Sequence, residues 1–285
     1  MSPRTNCDLT LALALRPGHT VGMSDLFVDA DAYDRFMGRF SSLLAAPFVE
    51  FAGVGSPGGL APAVAAPARV LDVGCGTGML TRELVARGLT VAAVDPSEPL
   101  VSAVRASLPG VDARVAGAQR LPFADGVFDG ALAQLVVNFL PDPAAGVREM
   151  ARVTRPGGVL AANVWDFAGG RGPLGVFEQA RRETDPSAAT EEQAAGAAEG
   201  YLASLFTAAG LADVRTAALT VSRTFASFDE WWTPFTLGVG PAGAYVASLS
   251  PAARASLRGR AESLAGPGPF TVEAVAWAVA GTVRA

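Results

Sequence analysis

Lysine is absent from the chain; all 22 basic residues are arginines. That absence excludes Schiff-base chemistry, a phosphate-binding loop of the lysine type and a lysine general base. His19 is the single histidine, too few to build a Ser-His-Asp triad or a histidine-rich metal site. Cys7 and Cys75 stand alone and form no CxxC pair, so neither a zinc site nor a disulfide framework is expected, and no metal is expected at all. A reducing cytoplasm suits such cysteine usage. Charged residues make up only 17% of the chain, against about 25% in an average soluble domain. Although the mean hydropathy is +0.32, every apolar run is broken by proline, glycine or charge before the roughly 18 to 20 residues a membrane helix requires. No membrane association is expected. The net charge of −5 equals the contribution of Glu183, Asp185, Glu191, Glu192 and Glu199. The arginines are scattered, so the basic patch of a nucleic-acid binder is missing.

What is present is half hydrophobic: 285 residues, 50% of them apolar, enough for one large domain or a domain with an appended cap. Residues 1–22 carry a short apolar run, Leu9 to Leu15, followed by Arg16-Pro17-Gly18. They read as a disordered extension, and His19 within it is not expected to be catalytic. Residues 23–60 place Tyr33, Phe36, Met37, Phe40, Leu44, Phe48 and Phe51 at three- and four-residue spacings, which predicts an N-terminal helical lid. The Gly/Pro/Ala-rich stretch from Gly53 to Pro67 reads as a linker. Residues 65–166 then alternate strand and helix: strands at Val70–Val73, Thr90–Asp95, Ala113–Ala116, Val127–Ala133 and Val159–Val164, with helices between them. Residues 167–285 continue with a strand from Val214 to Val221 and a last one from Phe270 to Ala280, interrupted by helical insertions at about 167–200 and 225–265. The acidic piece from Thr184 to Glu199 has no aromatic anchor and reads as mobile. The expected fold is α/β: a Rossmann-like, seven-stranded, mostly parallel sheet with helices on both faces and a helical cap.

The glycine turn after the first strand is the most informative passage. Gly74, Gly76 and Gly78 make G-x-G-x-G, whereas the dinucleotide fingerprint needs a glycine where Met79 stands. Asp72, just before the turn, would repel a pyrophosphate but favours an ammonium or sulfonium. Asp95, ending the second strand, is placed to accept hydrogen bonds from two ribose hydroxyls. A nucleoside with a cationic tail and no phosphates is implied, which describes S-adenosylmethionine (SAM).

Five pieces in order, VLDVGCGTG (70–78), VDPSEP (94–99), AQRLPFADGVFD (118–129), LVVNFLPDP (135–143) and REMARVTRPGG (148–158), make the chain resemble the class I SAM-dependent methyltransferases of the type 11 group. The similarity is clear from Tyr33 to Val164 and looser beyond. The resemblance implies that Asp72, Gly74, Cys75 and Gly76 meet the methionyl and ribose part, Asp95 the ribose, and Pro96 and Ser97 the adenosine. It likewise implies that Ala118 and Gln119 meet the adenine, and that Gln134 and Leu135 form the floor beneath the methionyl group. YDRFMGR (33–39) is similar to the lid of ubiquinone and menaquinone biosynthesis C-methyltransferases, in which a tyrosine approaches the cofactor's carboxylate; Tyr33 takes that place here. Where that group has a His-His or His-Asn pair, this chain has Asn138-Phe139, so a histidine base is absent.

The resulting expectation is a methyltransferase acting on a small-molecule acceptor by in-line transfer, as a monomer or homodimer. The alternatives are a non-catalytic SAM-binding regulatory subunit, or another SAM-using reaction on the same fold. No catalytic residue is assigned firmly; Tyr33, Asn138 and Asp166 are the candidates. Trp231 and Trp232 read as core of the cap, or as a wall for an apolar acceptor. The lid is expected to hinge at the linker and dock when cofactor fills the cleft, with Tyr33 or Arg39 meeting its carboxylate.

Overall fold

The computed structural model describes residues 30–54, 68–187 and 194–284. The expected extension at 1–22, the lid's first residues and nearly all of the linker lie outside them.

The apolar run after Arg69 forms β1 (Arg69–Val73), and the alternation that follows gives β2 (Thr90–Asp95), β3 (Asp112–Val115), β4 (Phe128–Gln134) and β5 (Thr154–Trp165). Two long strands complete the sheet, β6 (Ala212–Phe225) and β7 (Phe270–Thr282). The order is β3-β2-β1-β4-β5-β7-β6. The first five are parallel, and β7 runs antiparallel between β5 and β6. The expected seven-stranded, mostly parallel sheet is thus what the chain forms. From β1 the chain winds outward to β2 and β3, then crosses back to β4 on the other side of β1. The crevice beyond the carboxyl ends of β1 and β4 is therefore the switch point, where open α/β sheets bind ligands.

Successive residues of β1 point to opposite faces and enter different cores. Val70 packs with Phe48, Val49, Leu80 and Leu84, which come from α2 (Arg39–Ala52) and α3 (Met79–Ala86). Leu71 packs with Val147, Met150, Leu202 and Phe206, which come from α5 (Pro143–Val153) and α7 (Tyr201–Ala208). Between β2 and β3, α4 (Glu98–Ser107) covers Ala93 through Val101 and Val104. Asp142 caps α5 by accepting from the Ala145 N–H, with Pro143 in the first turn.

A third core lies at the strand ends. Phe36, Phe40 and Leu44 from the N-terminal segment meet Trp165 and Phe177. The same cluster takes in Phe225, Phe228, Trp231, Trp232 and Phe235. The cap elements are α6 (Gly175–Thr184), α8 (Phe228–Trp232), α9 (Gly240–Ser248) and α10 (Pro251–Ala265).

Two expectations need correction. The N-terminal segment is not one detachable lid: Leu44, Phe48, Val49 and Ala52 of α2 are fully buried against the sheet, so only the short α1 (Ala30–Tyr33) and the π-helical turn Asp34–Gly38 lie over the crevice as a lid would. The acidic stretch is not uniformly loose either. Ala197 is buried, and Gly196 adopts a φ of +84° where a Cβ would sit 2.9 Å from Val164 Cγ2; small residues, not aromatics, anchor it. Residues 188–193 lie outside the described part.

Candidate active site

The site begins with backbone geometry. Gly74, Gly76 and Gly78 all have positive φ, the region open to glycine at little cost. At Gly74 a Cβ would also fall 2.4 Å from Val136 Cγ2. The turn is tied to β2 because the Gly74 and Cys75 N–H groups both donate to the Val94 carbonyl, at 2.8 and 2.9 Å. Asp95 closes it: one carboxylate oxygen accepts from the Gly76 N–H at 3.0 Å, the other from the Ser97 N–H at 2.9 Å. Each oxygen retains a lone pair for a ribose hydroxyl.

Asp72 is almost completely buried, with Thr81 Oγ1 donating to it at 2.5 Å. Burial pushes its carboxyl up to about 7 from an ordinary value of 3.8. A buried carboxylate with no cation beside it is the arrangement an ammonium group would relieve. Gln134, at the end of β4, donates to the Ser41 carbonyl at 3.0 Å, while its Oε1 is buried with no hydrogen-bond partner among the described residues. Asp72 and Gln134 line one pocket together with Tyr33, Gly74, Cys75 and Leu135. A pocket with a carboxylate and an orphaned amide oxygen, and no cation, fits the cationic methionyl end of SAM.

The π-helical turn sets the lid over this pocket. Its extra residue per turn points Asp34 at the glycine turn, where Asp34 Oδ1 accepts from Thr77 Oγ1 at 2.5 Å. The Tyr33 ring lies near Gly76, its hydroxyl 3.9 Å from where a Cβ would stand. Burial, with Asp95 and Asp34 nearby, raises the phenol's pKa well above its ordinary range, which keeps Tyr33 neutral.

Among the described residues Leu135 is one of two non-glycine residues with positive φ, at +61°. Its N–H is held by the Asn163 carbonyl and by Asn163 Oδ1, both at 3.0 Å. Beyond Leu135 a second cleft opens, of about 490 Å³, walled by Phe36, Met37, Phe139, Trp165, Phe167 and Leu174 and closed at one side by Gly240-Pro241-Ala242. Tyr33 and Leu135 line both chambers. Asn138 lines the second, and its Oδ1 is buried without a partner among the described residues.

Other expected residues are placed elsewhere. Asp166 is buried and spent on its own loop: one oxygen accepts from the Gly169 N–H at 2.8 Å, the other pairs with Arg171 Nε at 2.6 Å. Asp166 lines neither the Asp72 pocket nor the cleft beyond Leu135. Arg39 turns into the cap, donating to the Glu230 and Trp231 carbonyls and stacking 4.9 Å above the Phe225 ring; burial lowers it to about 10. It does not reach the pocket. Trp231 and Trp232 are cap core, ringed by Phe228 and Phe235. Cys75 buries its side chain among Ala93, Val101 and Val104, and burial raises its thiol far out of reactive range. Ala118 likewise points into the core and Pro96 is exposed. Gln119 sits with Ala118 in the turn beyond β3, beside the strand end that carries Asp95.

Sequence reasoning did not find Thr77, Thr81, Ser41 or Asn163. Thr81 carried a usable signal, since two turns of chain after Asp72 bring it back over β1; Ser41 and Asn163 carried none. Among the described residues no group of three His, Cys, Asp or Glu could hold a metal, and no helix is long and apolar enough to cross a membrane.

Comparison with known proteins agrees with this geometry. A family described as a methyltransferase domain matches residues 71–162. An uncharacterized methyltransferase of Mycobacterium tuberculosis is 45% identical over 102 residues, 36% of this chain and 41% of that protein. A demethylmenaquinone methyltransferase of Mycolicibacterium vanbaalenii is 47% identical over 94 residues, 32% of this chain and 40% of that protein. The chain thus spans about two-fifths of the length of these relatives. A phosphoethanolamine N-methyltransferase of Haemonchus contortus, solved in complex with S-adenosyl-L-methionine, superimposes with a TM-score of 0.56 at 16% identity, over 95% of this chain and 62% of that one.

Proposed function

We propose that this chain, a class I SAM-dependent methyltransferase by its core sequence and fold, transfers a methyl group from SAM to a small-molecule acceptor held in the second cleft. The observation that carries this reading is the pair of adjoining chambers with Tyr33 and Leu135 as their shared wall. When bound, SAM supplies a methyl on a positively charged sulfur, activated for displacement without metal or base.

The chain's own part is placement. Asp72 and Gln134 Oε1 would take the ammonium, Asp95 the ribose hydroxyls, and the backbone at Gly74 and Gly76 the close approach of the tail. Pro96, Ser97, Ala118 and Gln119 would flank the adenosine from the ends of β2 and β3. Leu135, fixed by Asn163, and Tyr33, held over Gly76, would leave one opening between the chambers. Confining two reactants to that line converts an encounter into an in-line displacement over about 3 to 3.5 Å. The apolar walls exclude water. The protein is taken to act as a monomer or homodimer in the cytoplasm, independently of nucleic acid and of metal.

The test is a screen of small acceptors with SAM, read by mass for a methyl gain and for the demethylated cofactor. Stoichiometric gain of both, undiminished by EDTA, is expected. SAM binding with no methyl product from any acceptor would point to a regulatory subunit instead.

A further inference from the structure

The second cleft narrows the class of acceptor. Among the described residues its lining holds no Asp, Glu, Arg or His: Phe36, Met37, Phe139, Trp165, Phe167 and Leu174 supply most of the wall. A charged molecule would lose its hydration there and find no counter-charge. Within this apolar surface Asn138 Oδ1 is buried and lacks a partner among the described residues. An orphaned acceptor inside a pocket is best satisfied by a ligand's own N–H or O–H. Asn138 belongs to a short 3-10 turn, Val137–Phe139, which follows Leu135, a residue that lines both chambers.

We infer that the acceptor is a neutral, largely apolar compound whose reacting nitrogen or oxygen carries a hydrogen bonded to Asn138 Oδ1. This inference rests on the methyltransferase reading above. Holding that hydrogen to one side turns a lone pair toward the opening. A bond forms from the lone pair to the methyl carbon while the carbon–sulfur bond breaks, its electron pair going to the sulfonium sulfur, which becomes a neutral thioether. The hydrogen leaves the product as a proton to water at the cleft mouth. No residue acts as base, in keeping with the elevated pKa of Tyr33 and the engagement of Asp166 with Arg171. Asn138 is a specificity-determining residue in this scheme.

The experiment uses the full chain with naphthol and naphthylamine as neutral ring probes, and the corresponding hydroxy- and amino-naphthoates as charged ones. Binding in the presence of demethylated cofactor is read by calorimetry, and turnover with SAM by mass. Neutral probes are expected to bind at least about tenfold more tightly than their charged counterparts, and one or both to be methylated; the oxygen and nitrogen arms show which atom reacts. Asn138→Leu should weaken the neutral probes about tenfold, the scale of one buried hydrogen bond, while leaving the naphthyl methyl ether and SAM binding unchanged. Equal binding of charged and neutral probes, binding of none of the neutral ones by a SAM-competent protein, or an Asn138→Leu variant indifferent to the N–H or O–H would each overturn the inference. Failure of the chain to bind SAM at all would instead overturn the methyltransferase reading.

Discussion

Two carboxylates in the crevice are held differently, and each predicts a different measurement. Burial pushes the Asp95 carboxyl above its ordinary value, while the Gly76 and Ser97 N–H groups that donate to it pull the other way. Asp95→Ala should weaken SAM binding by roughly 1.5 to 3 kcal/mol, the scale of hydrogen bonds to a charged group; calorimetry on the variant, with its circular dichroism unchanged, checks this. Asp72 is held up to about 7 by burial. Because its folded pKa lies above the unfolded value of 3.8, the folded protein binds the proton more tightly, and the stability this gives is lost as pH rises from about 4 to about 7. A cationic ligand prefers the ionised form. The thermal shift given by saturating SAM should therefore be larger at about pH 8 than at about pH 6, and Asp72→Asn should flatten that difference. An equal shift at both pH values in the wild-type chain would show that Asp72 does not face the ammonium.

Among the elements, the N-terminal helix matters most to both fold and site. Phe48 is fully buried between α3 and the sheet, so Phe48→Ala should cost roughly 3 to 5 kcal/mol, a large share of the about 5 to 15 kcal/mol that holds a domain folded. A denaturation midpoint will show it. The preceding turn meets the glycine turn through the Asp34–Thr77 hydrogen bond and the cap through Phe36, which packs edge-on against Phe235, contacts that do not involve the sheet. Amide exchange should accordingly be slow across residues 44–52 with or without SAM, and slow on adding SAM across residues 33–38. Uniform protection across both segments would make the turn fixed structure. The apolar spacing from Tyr33 to Phe51 made this region legible as helix but not as two parts. Periodicity reports which residues are buried, and it is silent about whether they are buried on the sheet or over a ligand. The extra residue of the π-helical turn, which aims Asp34 and Arg39 in different directions, leaves no mark in the spacing.

For the whole molecule, the sheet was the most legible feature. Buried parallel strands must be continuous apolar runs, and glycine must appear wherever the chain turns back sharply, so Val70–Val73 and the turn after it could be read residue by residue. The pocket that Asp72 and Gly74 line with Gln134 was legible in part, because the glycine turn marks where it opens. The acceptor cleft was not legible because its walls come from five separated stretches, among them Phe36, Leu135, Trp165, Leu174 and Pro241, brought together only by the cap. Asp166 misled because a strand-end carboxylate reads alike whether it faces a substrate or an arginine five residues on. The central claim, that this crevice is built for a nucleoside with a cationic tail, is tested most directly by calorimetric titration of the full chain with SAM, with NADH as the control. Saturable binding of one SAM per chain near micromolar affinity, about −8 kcal/mol, with no heat from NADH, is the predicted result. No saturable heat from SAM, or equal binding of NADH, would contradict it.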